Sequence, residues 1–342
     1  MAGASVEKGT IAVHLVLEAL CEMRRQGVDE AAVLQEAGID ADLLTQPEER
    51  VSSEAYGQLW LAIARQMDDE FFGMNRRRMK VGSFAYMTRA AAQEPTLDAA
   101  LQGALRFLHL VFDDFSPRLE VRDGLAAIVI DEAPGQAYRA FGYFTLWLII
   151  HGLSCWLAGR RIDVLGIQLR CAQPDYIEDY QVMFTRNLQF ARGQSRLLFN
   201  ADSLQTPIRR SADDLKRFLS DAPGNILVRY RDPQSLSARI KNHLRSLAPE
   251  QWPDVEALAA HFHMAPSTLR RKLSLQGQPY QGLKDQVRRD LAIACLDSDD
   301  GNVRDLAFEL GFADSSAFYK AFKKWTGSTP GQYRALMHPE RH

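Results

Sequence analysis

Val303-Arg304-Asp305-Leu306-Ala307-Phe308-Glu309-Leu310 followed by Gly311-Phe312-Ala313-Asp314 and then Ser315-Ser316-Ala317-Phe318-Tyr319-Lys320-Ala321-Phe322-Lys323-Lys324-Trp325 reads as a helix, a turn and a second helix. Gly311 permits the positive φ such a turn requires. On the second helix Phe318 and Phe322 fall on one face, while Ser315, Ser316, Tyr319 and Lys320 fall on the other. A helix-turn-helix needs this division: one face docks on the first helix and the other enters a major groove.

The pattern occurs a second time, upstream. Pro253-Asp254 starts a helix with Asp254 as its N-cap and Val255, Leu258, Ala259 and Phe262 inward. His263-Met264-Ala265-Pro266 breaks it, and Ser267-Thr268-Leu269-Arg270-Arg271-Lys272-Leu273 forms the next helix. Leu269 and Leu273 face in; Ser267, Arg270 and Arg271 face out. Aligning Leu269 with Phe318 puts the two outward sets at equivalent positions. Arginine suits a guanine because its planar fork matches O6 and N7 together.

One unit of this kind is also the pattern of an ordinary αα-corner. The connector makes the pair more specific. Residues 281–296 carry helical periodicity through Leu283, Val287, Leu291 and Ala294. A helix of about sixteen to twenty residues spans roughly 25–30 Å, and successive major-groove faces on one side of B-DNA lie about 34 Å apart. One rod therefore suits two reading helices in adjacent grooves.

These residues resemble the DNA-binding domain of the AraC/XylS family of bacterial transcription regulators. The likeness is carried by residues 303–334: Ala-x-x-x-Gly-Phe from Ala307, a Ser-x-Phe-x-x-x-Phe helix from Ser316, and a Gly-x-x-Pro-x-x-Tyr-Arg end from Gly327. It covers about the last hundred residues. It implies base-facing roles for Ser267, Arg270 and Arg271 in the first unit and for Ser315, Ser316, Tyr319 and Lys320 in the second. Lys323 and Lys324 are assigned to phosphate, with solvated surface lysines as the alternative. Trp325, Pro330 and Tyr333 are read as packing. Ala265 departs from the family, whose members often carry a capping serine there, a loss of about 1 kcal/mol at that helix start.

Composition agrees with two domains. A chain of 342 residues, 46% hydrophobic and 25% charged, is too long for one ordinary core and is neither disordered nor fibrous. From Arg229 onward 17 Lys+Arg face 13 Asp+Glu, whereas the remainder holds 24 against 30. The basic tail suggests a polyanion partner, although many solvated helical surfaces carry as much charge. Cys21, Cys155, Cys171 and Cys295 form no Cys-x-x-Cys pair and read as inert thiols in a reducing compartment. Glu7, Lys8 and Glu18 interrupt any signal-peptide core, so a cytoplasmic location is expected.

The first two thirds reads as an α+β domain. Residues 10–37 and 52–67 carry helical spacing, and Pro95-Thr96-Leu97-Asp98 opens another helix through Leu101, Leu105, Leu108 and Phe112. Residues 118–122 alternate, Asp123-Gly124 signals a two-residue hairpin, and residues 125–130 return. Residues 162–170 and 188–199 also look extended, which predicts an antiparallel sheet. Residues 141–159 lack any charge and satisfy the length rule for a membrane span. They contain Gly142, Thr145, His151, Gly152 and Ser154 and lie between strands of one sheet, so they are read as a buried helix, with no membrane partner. The predicted organisation is an effector and dimerisation domain over 1–220, a linker over 221–234 and an all-α double helix-turn-helix domain over 235–342.

The acidic domain resembles the arabinose-binding-like effector domain of one AraC-family branch through Phe71-Phe72-Gly73-Met74, Gly82-Ser83-Phe84, residues 95–101 and Leu188-Gln189-Phe190. This implies a small organic effector, without specifying a sugar. Phe84, Tyr86, Phe107, Trp147 and His151 are the candidates for lining its cavity, each with plain core as the alternative. The family further implies double-stranded promoter DNA, RNA polymerase and a homodimer as partners, and activation as the usual outcome.

An enzyme is the rival reading. The sequence has no Gly-x-Ser-x-Gly, Gly-x-Gly-x-x-Gly, phosphate-binding loop or His-Glu-x-x-His. His261-Phe262-His263 is the nearest approach to a metal pair and lacks a carboxylate or cysteine beside it. No cofactor, metal or catalytic residue is expected. An enzyme fused to a DNA-binding tail and a ligand-independent DNA binder are the two alternatives.

Overall fold

The computed structural model describes residues 9–133, 138–228, 236–275, 278–298 and 303–337. The chain divides into two units, one over Gly9–Arg122 and Ala126–Tyr230, the other over Met1–Lys8, Asp123–Leu125 and Arg231–His342.

In the first unit, β1 (Thr10–Ala12) leads straight into α1 (Val13–Arg25), and α2 (Ala31–Ala37) follows. β2 (Arg50–Ser52) pairs antiparallel with β1. Ile11 is therefore in a strand, and residues 10–37 are a strand and two helices instead of one periodic run. The backbone breaks after Arg25, where Gly27 takes φ 67°. Ser52 then caps α3 (Ser53–Met67), its hydroxyl accepting the Ala55 N–H at 3.0 Å. α4 (Ser83–Ala91) starts at Gly82, and α5 (Leu97–Val111) begins after Thr96, whose Oγ1 accepts from Ala99. Leu97, Leu101, Leu105 and Leu108 turn into the core.

The predicted hairpin is present as β3 (Phe115–Arg122) and β4 (Leu125–Glu132). Asp123 and Gly124 both have positive φ, 52° and 79°, the backbone a two-residue primed turn demands. The uncharged run forms α6 (Ala140–Ala158), buried from Ala140 to Leu157. It is apolar and long enough to cross a bilayer by composition alone, yet it lies wholly inside this unit, against α5. Two of its polar side chains find partners within the protein: the His151 ring meets the Ile162 carbonyl at 2.8 Å and Ser154 Oγ donates to Ile150.

β5 (Val164–Gln168), α7 (Glu178–Met183), β6 (Leu188–Gln189) and β7 (Ser195–Asn200) follow, giving a sheet of order β3-β4-β7-β5-β6. β5 and β7 are antiparallel, but β6 pairs with β5 in parallel. The sheet is thus not purely antiparallel. A parallel neighbour needs a crossover, and the segment containing α7 provides it.

α8 (Ala212–Asp221) carries a Ser211–Asp214 capping box. α9 (Gly224–Val228) comes next and packs on α3 and α6. This corrects the predicted linker: Pro223-Gly224, read as a breaker, opens a short helix that belongs to the first unit, whereas residues 229–234 lie outside the described ones. Two glycines make room for α9. A Cβ on Gly57 of α3 would sit 3.4 Å from Gly224, and one on Gly152 of α6 would come within 2.6 Å of Ile226 Cγ2.

From Leu236 onward the second unit is helical over its described residues. α10 (Leu236–Arg245), α11 (Val255–His261), α12 (Pro266–Leu275), α13 (Tyr280–Asp297), α14 (Val303–Glu309), α15 (Ser315–Thr326) and α16 (Pro330–Met337) succeed one another. α11 packs on α12 and α14 on α15. Leu283 and Val287 of α13 join the core of Leu258, Leu269 and Leu273. Further along, α13 packs against α14, α15 and α16, where Leu306, Phe318, Phe322 and Tyr333 are buried.

Candidate nucleic-acid interface

The two helix–turn–helix pairs are built alike. The Met264 N–H donates to the Ala259 carbonyl at 2.8 Å, and the Phe312 N–H to the Ala307 carbonyl at 3.0 Å. These bonds close the two turns at corresponding places, one position after a residue of positive φ. In the second pair that residue is Gly311, at 75°; in the first it is His263, at 52°. A non-glycine residue held there is strained by of order 1 kcal/mol. Alignment of His263 with Gly311 was the signal that sequence reasoning passed over.

The second turn is one residue longer. Its extra residue places Asp314 at the cap of α15, where the carboxylate accepts from Ala317 at 2.7 Å. The Ala265 carbonyl accepts from Leu269 at the same point of the first pair, but alanine has no side-chain acceptor.

The outward residues stand in register. Ser267, Arg270 and Arg271 of α12 are exposed, as are Ser316, Tyr319 and Lys320 of α15; Ser315 is half-buried. Lys323 and Lys324, also exposed, lie one turn further along α15. Arg271, Lys320, Lys323 and Lys324 make no ion pair among the described residues. Arg270 is different: its Nη2 lies 2.9 Å from Oε1 of Glu256 on α11. Both side chains are more than half exposed, so the pair contributes about 0–1 kcal/mol and is readily exchanged for another anion. Trp325 is half-buried against Phe312, while Pro330 and Tyr333 are buried. His261 stacks on His243 at 3.9 Å, an arrangement of rings and not of metal ligands.

α13 fixes the spacing of the pairs. Its 18 residues span about 27 Å. α10 is tied to it by Lys241 to Gln286 at 3.0 Å and Arg245 to Asp290 at 2.6 Å. Arg288, which no sequence motif singles out, lies over the Trp252 ring at 4.8 Å and near the Phe312 ring at 5.7 Å. Burial lowers its pKa from the ordinary arginine value.

The five aromatic candidates of the first unit do not come together in one cavity. Trp147 and His151 are core residues of α6. Tyr86 is 66% exposed and tilts against Phe107 at 5.8 Å, on a shallow cleft of about 130 Å³. Only Phe84 lines the larger cavity, of about 270 Å³, whose other walls include Trp60, Met79, Ile149 and Ile226. A helix buried on every side offers no apolar stripe from which an inward-facing residue can be told from a cavity-facing one. Asp113 and Asp114 are held by Arg77 and Arg76, so they serve as structural carboxylates.

Residues 27–208 match the family described as the arabinose-binding domain of AraC transcription regulators, N-terminal, and residues 258–336 match a helix-turn-helix domain. The ornithine utilization regulator of Pseudomonas aeruginosa is 25% identical over 320 residues, covering 93% of this chain and 94% of that one. An uncharacterized HTH-type transcriptional regulator of Mycobacterium tuberculosis is 32% identical over 323 residues, covering 92% and 93%. Among solved structures, the transcriptional regulator CdpR of Pseudomonas aeruginosa aligns over 94% of this chain and 98% of its own, at 17% identity and a TM-score of 0.30.

Proposed function

The chain belongs to the AraC family of transcription regulators, and we propose that α12 and α15 read successive major grooves on one side of a promoter duplex. It is a DNA-binding regulator with an N-terminal effector-binding domain. The single observation that carries the two-groove reading is the matched exposure of Ser267, Arg270 and Arg271 with Ser316, Tyr319 and Lys320 on helices braced by α13.

In this reading Arg270 and Arg271 each pair with a base, and the serines and Tyr319 supply shorter contacts to base edges or sugar. Ser315, at the start of α15, and Lys320 complete the second set. Lys323 and Lys324 neutralise phosphates, which positions the domain without specifying sequence. Release of Arg270 from Glu256 accompanies docking.

The first unit binds a small organic effector and supports a homodimer, so that occupancy shifts the population of arrangements in which both tails reach their half-sites. An effector of equal affinity for those arrangements could not act. Contact with RNA polymerase turns binding into activation, in the cytoplasm, with no chemistry performed on the effector.

Selection of binding sites from a random duplex pool tests this directly. The full-length protein should enrich two short elements about one helical turn apart, and Arg271→Ala should relax preference within one element only. Enrichment of a single element, or an unchanged pattern with Arg271→Ala, contradicts the assignment.

A further inference from the structure

The 270 Å³ cavity of the first unit is walled by Trp60 of α3, Phe84 of α4, Ile149 of α6, Leu219 of α8, and Pro223 and Ile226 at the start of α9. Its lining is predominantly apolar. Two charged residues border it, and both are already partnered. Glu70 uses its two carboxylate oxygens on backbone N–H groups, accepting from Gly82 at 2.8 Å and from Phe84 at 2.7 Å. Arg65 is ion-paired with Glu36. A ligand group bearing a full charge would be desolvated against this mostly apolar lining, which is costly. The volume falls slightly below the range of about 300–1,000 Å³ common for small-molecule pockets, so the occupant is small.

One wall is unlike the others. α9 nests against Gly57 and Gly152, buries Ile226 and Leu227, and closes its own turn, in which the Ile226 and Leu227 N–H groups donate to the Pro223 carbonyl at 2.9 and 3.1 Å. It is also the last described element before the segment that leads to the DNA-binding unit. A molecule in the cavity would touch Ile226 and Pro223, and so add contacts to the element from which that segment departs.

We propose that this cavity is the effector site, that it takes a small uncharged molecule with an apolar body, and that occupancy acts through α9. The proposal rests on the effector-responsive reading above and adds to it the place, the ligand class and the element moved.

The experiment uses the full-length protein and four probes: toluene, 1-hexanol, hexanoate and hexylammonium. Calorimetry should show toluene and 1-hexanol binding at least tenfold more tightly than either charged probe. Hydrogen exchange followed by mass spectrometry should slow severalfold in the peptide containing residues 224–228 when toluene is bound. Ala85→Phe, which fills the cavity from its partly exposed wall, should abolish binding; Ala64→Leu fills it from α3 and serves if the first variant unfolds. Tighter binding of a charged probe overturns the ligand class. Binding that survives in a folded filling variant, or no binding to the wild type, overturns the location. Unchanged exchange at residues 224–228 overturns the role of α9. Effector reading and cavity fail separately. A metabolite that alters DNA binding equally in Ala85→Phe leaves the first standing without the second, whereas probe binding in a protein whose DNA affinity no metabolite alters does the reverse.

Discussion

Nε of Arg288 donates a hydrogen bond to the carbonyl oxygen of Leu310 at 3.1 Å. That carbonyl lies just past the end of α14, where helix geometry leaves acceptors without intrahelical partners. The same guanidinium covers Trp252, whose indole N–H donates to Leu244 at the end of α10. One side chain on the connecting helix thus touches the support of both helix–turn–helix pairs.

Arg288→Ala removes a charged hydrogen bond and a cation–π contact together, and should destabilise the second unit by about 2–4 kcal/mol. Its effect on DNA should be selective: affinity for a two-element site falls far more than affinity for an isolated element. Arg288→Lys retains the charge without the planar fork and should recover only part of the loss. Equal losses on both DNAs in binding assays would mean that Arg288 only stabilises the fold.

Glu256 lies 2.9 Å from Arg270, and under the proposed base-reading role of Arg270 it competes with DNA for that side chain. Glu256→Gln removes that competition and a negative charge beside the duplex, so affinity should rise modestly for all sequences. Arg270→Ala should cost about 1–3 kcal/mol at its own base and relax preference there. Quantitative footprinting on sites altered one base pair at a time separates the two effects.

How much of this could be read without coordinates depended on what each residue must do locally. The two helix–turn–helix pairs were legible because an inward Leu269 or Phe318 recurring at i+4, together with capping and turn residues, leaves few other arrangements. His263 was not, because a positive φ is signalled by glycine and histidine rarely takes it. Arg288 was not, because its acceptor is a backbone carbonyl 22 residues away, and a carbonyl has no sequence signature. β1 and β2, at three residues each, are too short to alternate detectably. α9 was hidden by Pro223-Gly224, since the same pair that ends one helix can start the next. The cavity depended on long-range packing of α3, α4, α6 and α9, which local periodicity does not encode.

Asp314 caps α15 through its bond to the Ala317 N–H, whereas Ala265 leaves α12 without that interaction. Asp314→Ala should lower stability of the second unit by about 0.5–2 kcal/mol, and Ala265→Ser should raise it by a similar or smaller amount. Urea unfolding followed by far-UV circular dichroism measures both. If Ala265→Ser gives no gain, the first reading helix starts without need of a side-chain cap.

Lys323 and Lys324 lie exposed on α15, beyond the set assigned to bases. Lys323→Ala should weaken binding to every sequence alike and reduce the slope of log affinity against log salt by about one. A base-specific change in the selected site would instead move Lys323 into the reading set.

His243 and His261 stack at 3.9 Å between ring centroids. Desolvation, with a smaller contribution from His261, lowers the pKa of His243 from its ordinary 6.5. Between the lowered folded value and the unfolded one, the unfolded chain binds more protons than the folded chain, so stability rises with pH across that window. The contribution is fully present above the unfolded pKa and is lost as pH falls through it toward the folded value. The melting temperature of the second unit should therefore decline as the solution is taken from about pH 7.5 to below the ordinary histidine value. His243→Phe keeps a ring for the stack and removes the titrating group, so its melting temperature should decline less over the same interval. An identical decline in the variant would assign the pH sensitivity to other groups, leaving the stacked pair as packing alone.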